Sequence, residues 1–265
     1  MFSKDGGIAM KKLFALILCL CMLLSLAPAA LAEGDEDLPE LHVIPADETM
    51  GTTEDEDGAD AFANSLDHAD SRYYVINDYY NMESGGSLHI LPHFETYQQT
   101  TEYSCGCASA LMVLNRFGIE GYNELDICAL AETDEEKGTS VEGLVSFFEG
   151  LGLHIMYHAD TSPRFEDIEV CEAFLLKAID DGAPILVDWV DWAGHWQVII
   201  GIDTVGTDDP YDDVLIMADP YDITDHFQDG YYVVPFGRFF DMWREGPCAQ
   251  KEVPYEQPYI VVYGK

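Results

Sequence analysis

The chain has 265 residues, 48% of them hydrophobic, with 12 Lys and Arg against 50 Asp and Glu. That is enough apolar material for one globular domain with additional segments. A net charge of −38 speaks against nucleic-acid binding, which needs basic partners for phosphate, and against docking on anionic lipid; its plain reading is a highly soluble surface.

Lys11 and Lys12 precede an apolar run from Leu13 to Leu26, and Ala30-Leu31-Ala32 follows. This is the order of a secretory signal peptide, and the run is shorter than the ~20 residues of a membrane-spanning helix. Residues 1–32 are therefore expected to be cleaved near Ala32, leaving a secreted, extracellular protein with no membrane segment. Residues 33–71 carry dense acidic runs, Asp35-Glu36-Asp37 and Glu54-Asp55-Glu56-Asp57. Like-charge stretches poor in aromatics cannot offset chain entropy, so a disordered linker or pro-segment is expected there. Asp55, Asp57 and Gly58 echo a calcium loop but lack its closing Glu.

From residue 72 to 265 the composition turns aromatic and globular. A Gly85-Gly86 pair near its start reads as a turn. Cys105 to Phe117 is apolar, stops at Gly118 and predicts a helix. Asn123 to about Glu132 predicts a second. Thr139 with Glu142 forms a capping-box pattern that opens a third, ending at Gly150. Glu169 to Asp181 gives a fourth. The strands expected are 153–158, 184–189, 196–203, 213–218, 230–234 and 259–263, with a short helix over 236–243. Helices early and sheet late imply the α+β class, a helical half packed on an antiparallel sheet.

Seven cysteines are present; Cys19 and Cys21 leave with the signal. The other five, an odd number, leave at least one free thiol; Cys107, Cys128 and Cys171 read as buried small hydrophobes first and disulfide partners second. No CxxC pair and no paired-His spacing occurs, so neither a zinc site nor any other metal or cofactor is expected.

Three short stretches carry chemistry. In Gln99-Thr100-Thr101-Glu102-Tyr103-Ser104-Cys105-Gly106, a cysteine opens a helix after a polar loop. Helix N-terminal N–H groups stabilise a thiolate, and the Cys105 N–H can face a developing oxyanion. The Gln99 amide lies within loop reach as a second oxyanion donor, and Gly106 would let substrate approach. In Gly194-His195-Trp196, a histidine starts an apolar strand, with Trp189, Trp192 and Trp196 nearby to shield it or line a groove. In Ala218-Asp219-Pro220, a carboxylate ends the next strand, where it can orient an imidazole. A hairpin centred near Thr207 would set His195 directly opposite Asp219. Asp203 lies eight residues along the same strand as His195, roughly 26 Å away. Cys107 sits about 200° around the helix from Cys105 and should face inward.

These blocks together resemble the C39 and C39-like cysteine peptidases. The resemblance spans about residues 90 to 235 and implies a papain-like fold. It implies Cys105 as nucleophile, His195 as base, Asp219 as the orienting carboxylate and Gln99 in the oxyanion hole. The expected function is a secreted peptidase-like hydrolase acting on a peptide or isopeptide bond of a peptide or protein substrate. Two alternatives stand beside it: an inactive papain-like module that binds peptide or cell-wall material, and an acyl transferase with the same triad.

Overall fold

The computed structural model describes residues 38–46, 58–59, 75–191, 194–223, 227–245 and 255–265. The expected signal peptide, Trp192 and Cys248 lie outside them, as does most of the acidic stretch 33–71. The chain divides into two compact units, Met1–Leu38 and Pro39–Lys265; every described residue but Leu38 belongs to the second, which holds the site.

In chain order the described elements are β1 (Leu88–Ile90), α1 (Cys105–Arg116), α2 (Glu124–Leu130), α3 (Val141–Gly150), β2 (Ile155–His158), α4 (Ile168–Asp180), β3 (Ile185–Trp189), β4 (His195–Asp203), β5 (Val214–Ala218), β6 (Tyr231–Pro235), α5 (Phe236–Glu245) and β7 (Tyr259–Val262). Six strands run in the order β2-β7-β3-β4-β5-β6, every pair antiparallel. The seventh, β1, pairs with the far end of β4, beyond the stretch that β3 occupies. This is the α+β layout expected, a helical half on an antiparallel sheet.

The centre of the sheet reads directly from the sequence. All five residues of β3, all four of β7 and the first eight of β4 are buried. Apolar side chains at successive positions suit a strand covered on both faces. Helix α1 packs on β4, α3 reaches β2 and β7, and α5 covers β3 and β6. Phe165, Phe174, Trp243 and Tyr259 form a ring cluster with centroids 5.0–6.2 Å apart.

Four details differ from the sequence reading. Strand β1 was not foreseen; three residues are too few for a periodic signal. The N-cap of α3 is Ser140, whose Oγ accepts from Gly143 N at 3.0 Å, while Thr139 turns toward Cys107 and Thr133. The reciprocal capping box occurs instead on α2, between Asn123 and Asp126. The β4–β5 register also differs: Asp203 faces Val214 and Ile202 faces Leu215, then a bulge between Ile199 and Gly201 shifts the pairing, so that Val198 faces Ala218. His195 is therefore not directly opposite Asp219.

Gly85-Gly86 forms a tight turn closed by Gly85 N to Leu88 O at 2.9 Å and Leu88 N to Gly85 O at 3.2 Å. Two short pieces of the acidic stretch are also bound to the domain. Val43 bridges Thr96, with Ile44 N donating to Thr96 O at 2.7 Å and Thr96 N to His42 O at 3.2 Å; Ala59 O accepts from Gln228 Nε2 at 3.2 Å.

Candidate active site

Cys105 is the first residue of α1, and no side chain caps that helix start. Its N-terminal N–H groups are thus not spent on Ser104, whose hydroxyl instead bonds within the preceding loop, with Thr101 Oγ1 at 2.7 Å and Thr101 O at 3.3 Å. The helix end is pressed against its surroundings. A Cβ on Gly106 would come within 2.6 Å of Thr139 Cβ. Gly106 is buried and serves this close approach rather than admitting substrate. Cys107 faces inward as expected, with Sγ 3.1 Å from Thr133 Oγ1 and in hydrogen-bonding contact with Cys128, a bond that leads the lowering of its pKa. Cys105, Cys107, Cys128 and Cys171 are all free thiols.

The loop before Cys105 hangs on a residue the sequence reading did not single out. Glu124, the first residue of α2, is fully buried and accepts from Tyr97 Oη at 2.9 Å, Thr100 Oγ1 at 2.8 Å and Thr100 N at 3.2 Å. Burial raises its pKa against these hydrogen bonds. Nothing local in the sequence marks Glu124, because its burial follows from where α2 docks.

His195 enters the site as the first residue of β4, after Gly194 at φ 126°. That left-handed backbone suits glycine and completes a reversal in which Gly194 N donates to Asp191 O at 2.9 Å. His195 Nε2 lies 2.6 Å from Asp219 Oδ1, both side chains almost wholly buried. A carboxylate only accepts, so Nε2 carries the hydrogen and Nδ1 is left for the Cys105 thiol, with which His195 also hydrogen-bonds. Burial alone disfavours the imidazolium. The Asp219 charge and hydrogen bond, with the Cys105 contributions, outweigh it and raise the His195 pKa well above that of an ordinary imidazole.

Asp219 is held on every side. Its N–H donates to Gly230 O at 2.8 Å, its carbonyl accepts from Gln98 Nε2 at 3.1 Å, and Oδ1 also accepts from Tyr221 N at 2.8 Å. Oδ2 accepts from Gln197 Nε2 at 2.8 Å. Gln99 N donates to Pro220 O at 2.8 Å, so the loop leading to Cys105 is pinned to the segment carrying Asp219. The Gln99 side chain donates from Nε2 to Thr101 O at 2.6 Å, leaving one amide hydrogen uncommitted by that bond, while its Oε1 is buried with no partner among the described residues.

Gln99, Cys105 and His195 line a cavity of about 440 Å³, whose wall also holds Glu102, Glu135 and Asp188. Trp196 lines it too, with its indole N–H bound to Thr139 O at 2.9 Å, whereas Trp189 is packed on Phe239, ring centroids 5.0 Å apart. Asp203 stands at the far end of β4 and caps the next turn, its Oδ1 accepting from Val205 N at 2.8 Å. Among the described residues no group of three His, Cys, Asp or Glu side chains is arranged to hold a metal.

Residues 93–181 match the peptidase C39 family, so the resemblance read from the motifs holds over that stretch. Gln99 and Cys105 fall inside it, and His195 and Asp219 lie beyond it. No curated protein matches the chain. Among solved structures it is similar to the peptidase domain of Streptococcus ComA, a bi-functional ABC transporter involved in a quorum-sensing pathway. The identity is 17% over 65% of this chain and 100% of that one, with a TM-score of 0.43. It is also similar to UfSP from C. elegans, at 15% identity over 70% of this chain and 35% of that one, with a TM-score of 0.40.

Proposed function

Proceeding from the match to the peptidase C39 family, we propose that this protein is a thiol hydrolase that cleaves a peptide or isopeptide bond through Cys105, His195 and Asp219. The observation that carries the reading is the buried 2.6 Å bond between His195 Nε2 and Asp219, which leaves the other ring nitrogen for the Cys105 thiol. His195 takes the thiol proton, and the thiolate attacks the carbonyl carbon. The Gln99 amide and the N–H of Cys105 at the helix start receive the negative oxygen. His195 then protonates the leaving amine, and water, deprotonated by His195, releases the acyl group and regenerates the thiol.

The test needs no known substrate. Iodoacetamide at about pH 6, where an ordinary thiol is mostly protonated, should label Cys105 at least ~10-fold faster than Cys128 or Cys171 in the folded protein. Equal rates would overturn the proposal. We further propose export with removal of residues 1–32. Mass spectrometry of protein outside the cell should find an N-terminus near Glu33, and an uncleaved terminus there would contradict it.

A further inference from the structure

We infer that Gln197, braced by Trp189, is a positioning residue that fixes the Asp219 carboxylate against His195. The inference rests on the hydrolase reading and goes beyond its three reacting residues. Asp219 has two carboxylate oxygens, and they are claimed from opposite sides. Oδ1 takes His195 Nε2 and Tyr221 N, at 2.6 and 2.8 Å, while Oδ2 takes Gln197 Nε2 at 2.8 Å. Gln197 Oε1 in turn accepts from Trp189 Nε1 at 2.7 Å. An indole nitrogen can only donate, so the Gln197 carbonyl must face Trp189 and its amide N–H must face Asp219. Neither group can reverse without breaking both bonds.

The strand geometry explains how four side chains from β3, β4 and the end of β5 meet. Gln197 follows His195 by two positions along β4 and so shares its face. Trp189 pairs directly with His195 across β3 and β4, which puts it on that face as well. By continuation of the Val198–Ala218 pairing, Gln197 rather than His195 stands opposite Asp219. The bulge thus sets Gln197 beside the carboxylate and leaves His195 on the diagonal. Gln197 is fully buried in an otherwise apolar stretch of a central strand. An amide there is costly unless both its ends are satisfied. Trp189 and Asp219 satisfy them, and a Val or Ile at 197 would pack the strand without holding the carboxylate.

Among the described residues the other ionisable groups around the pair are Cys105 on α1, Asp188 on β3, Asp191 before β4, Tyr221 and Asp222 after β5, Tyr232 on β6, Glu102 and Tyr103 before α1, and Glu135 and Lys137 before α3. All are unchanged in the variants that follow. The experiment alkylates Cys105 in the full chain with iodoacetamide at pH 6 and at pH 9.5, reading the Cys105 peptide by mass spectrometry. At pH 9.5 a thiol ionises without help; at pH 6 it does so only beside an imidazolium, so the ratio of the two rates reports the ion pair. Gln197→Leu should lower that ratio by about tenfold and Trp189→Phe by about threefold, in line with losing a hydrogen bond to a charged group or one bond further back. A purely structural role would lower thermal stability and leave the ratio at its wild-type value. An unchanged ratio in a folded Gln197→Leu protein overturns the inference; if that variant does not fold, an unchanged ratio in Trp189→Phe does so. A wild-type protein with no excess Cys105 reactivity at pH 6 instead overturns the hydrolase reading and this inference with it.

Discussion

Burial disfavours a charged His195, but the Asp219 charge and hydrogen bond and the Cys105 contributions outweigh it and push the imidazole toward its protonated form. A group whose folded-state pKa is raised contributes stability that is complete below its unfolded value, near 6.5, and is lost as pH climbs through the folded value. Asp219→Asn should therefore flatten the fall in stability above about pH 6.5, measured by thermal melts across pH, and cut Cys105 alkylation at pH 6 by at least tenfold. Asp203→Asn, at the turn end of β4, should leave that alkylation unchanged. Asp213 shows the opposite balance. It is 1% exposed, its Oδ2 has no partner among the described residues, and burial with Glu172, Asp203, Asp212 and Asp209 nearby pushes its pKa up to about 6. Its penalty grows as pH rises above the ordinary carboxylate range and is complete above about 6. Asp213→Asn should stabilise the protein at pH 8 by roughly 1–2 kcal/mol and do nothing below pH 4. No gain at pH 8 would mean that the carboxylate has a partner in solution.

At the scale of elements, the helix that begins at Cys105 depends on two contacts lying outside it. Gly106→Ala would force its Cβ against Thr139. Overpacking of this kind costs ~1–3 kcal/mol and should move Cys105 away from His195, which the alkylation ratio would register. Glu124→Ala strands the Tyr97 and Thr100 donors in the interior, for a loss of about 2–4 kcal/mol in chemical denaturation. That Cys105, His195, Asp219 and Gln99 would lie together was legible because each sits in a short run whose residue types suit one proposed role. A thiol stands at a helix start, an imidazole and a carboxylate at strand ends, and an amide one loop away. Glu124 and Gln197 were not legible, since a buried carboxylate and a buried amide acquire their meaning only from neighbours far along the chain. The direct His195–Asp219 register failed for a similar reason. The β4–β5 turn is centred beyond Thr207, pairing Asp203 with Val214, and the bulge at Ile200 brings the pairing back by only one position; neither leaves a mark in the sequence, although the two residues do meet, along a diagonal. The N-cap of α3 was misplaced by one residue because Thr139 and Ser140 have the same capping chemistry, and tertiary contacts to Cys107 and Thr133 decide between them.

The charge of the whole molecule acts at longer range than any of these contacts. At −38 the folded chain repels itself, and salt should relieve this: raising NaCl from about 10 mM to 0.5 M should increase the melting temperature by several degrees. The same field bears on substrates, since Glu102 and Glu135 stand in the cavity wall. If the proposed hydrolysis holds, peptides carrying Lys or Arg should be cleaved with kcat/KM roughly tenfold above that for Asp- or Glu-bearing counterparts at low salt, and the gap should close near 0.5 M. A preference that persists unchanged at high salt would point to a specific pocket in place of the general field. The sheet order adds a constraint in time. Strand β7, residues 259–262, lies between β2 and β3, so those two strands have no direct pairing with each other. A polypeptide delivered from its N-terminus, whether by a ribosome or through a narrow export channel, holds a split sheet until that late segment arrives. Non-local pairing of this kind is slow and cooperative. Under the proposed hydrolase reading, catalytic competence would then appear in one late step, and the site would stay silent for as long as its own chain is still being threaded.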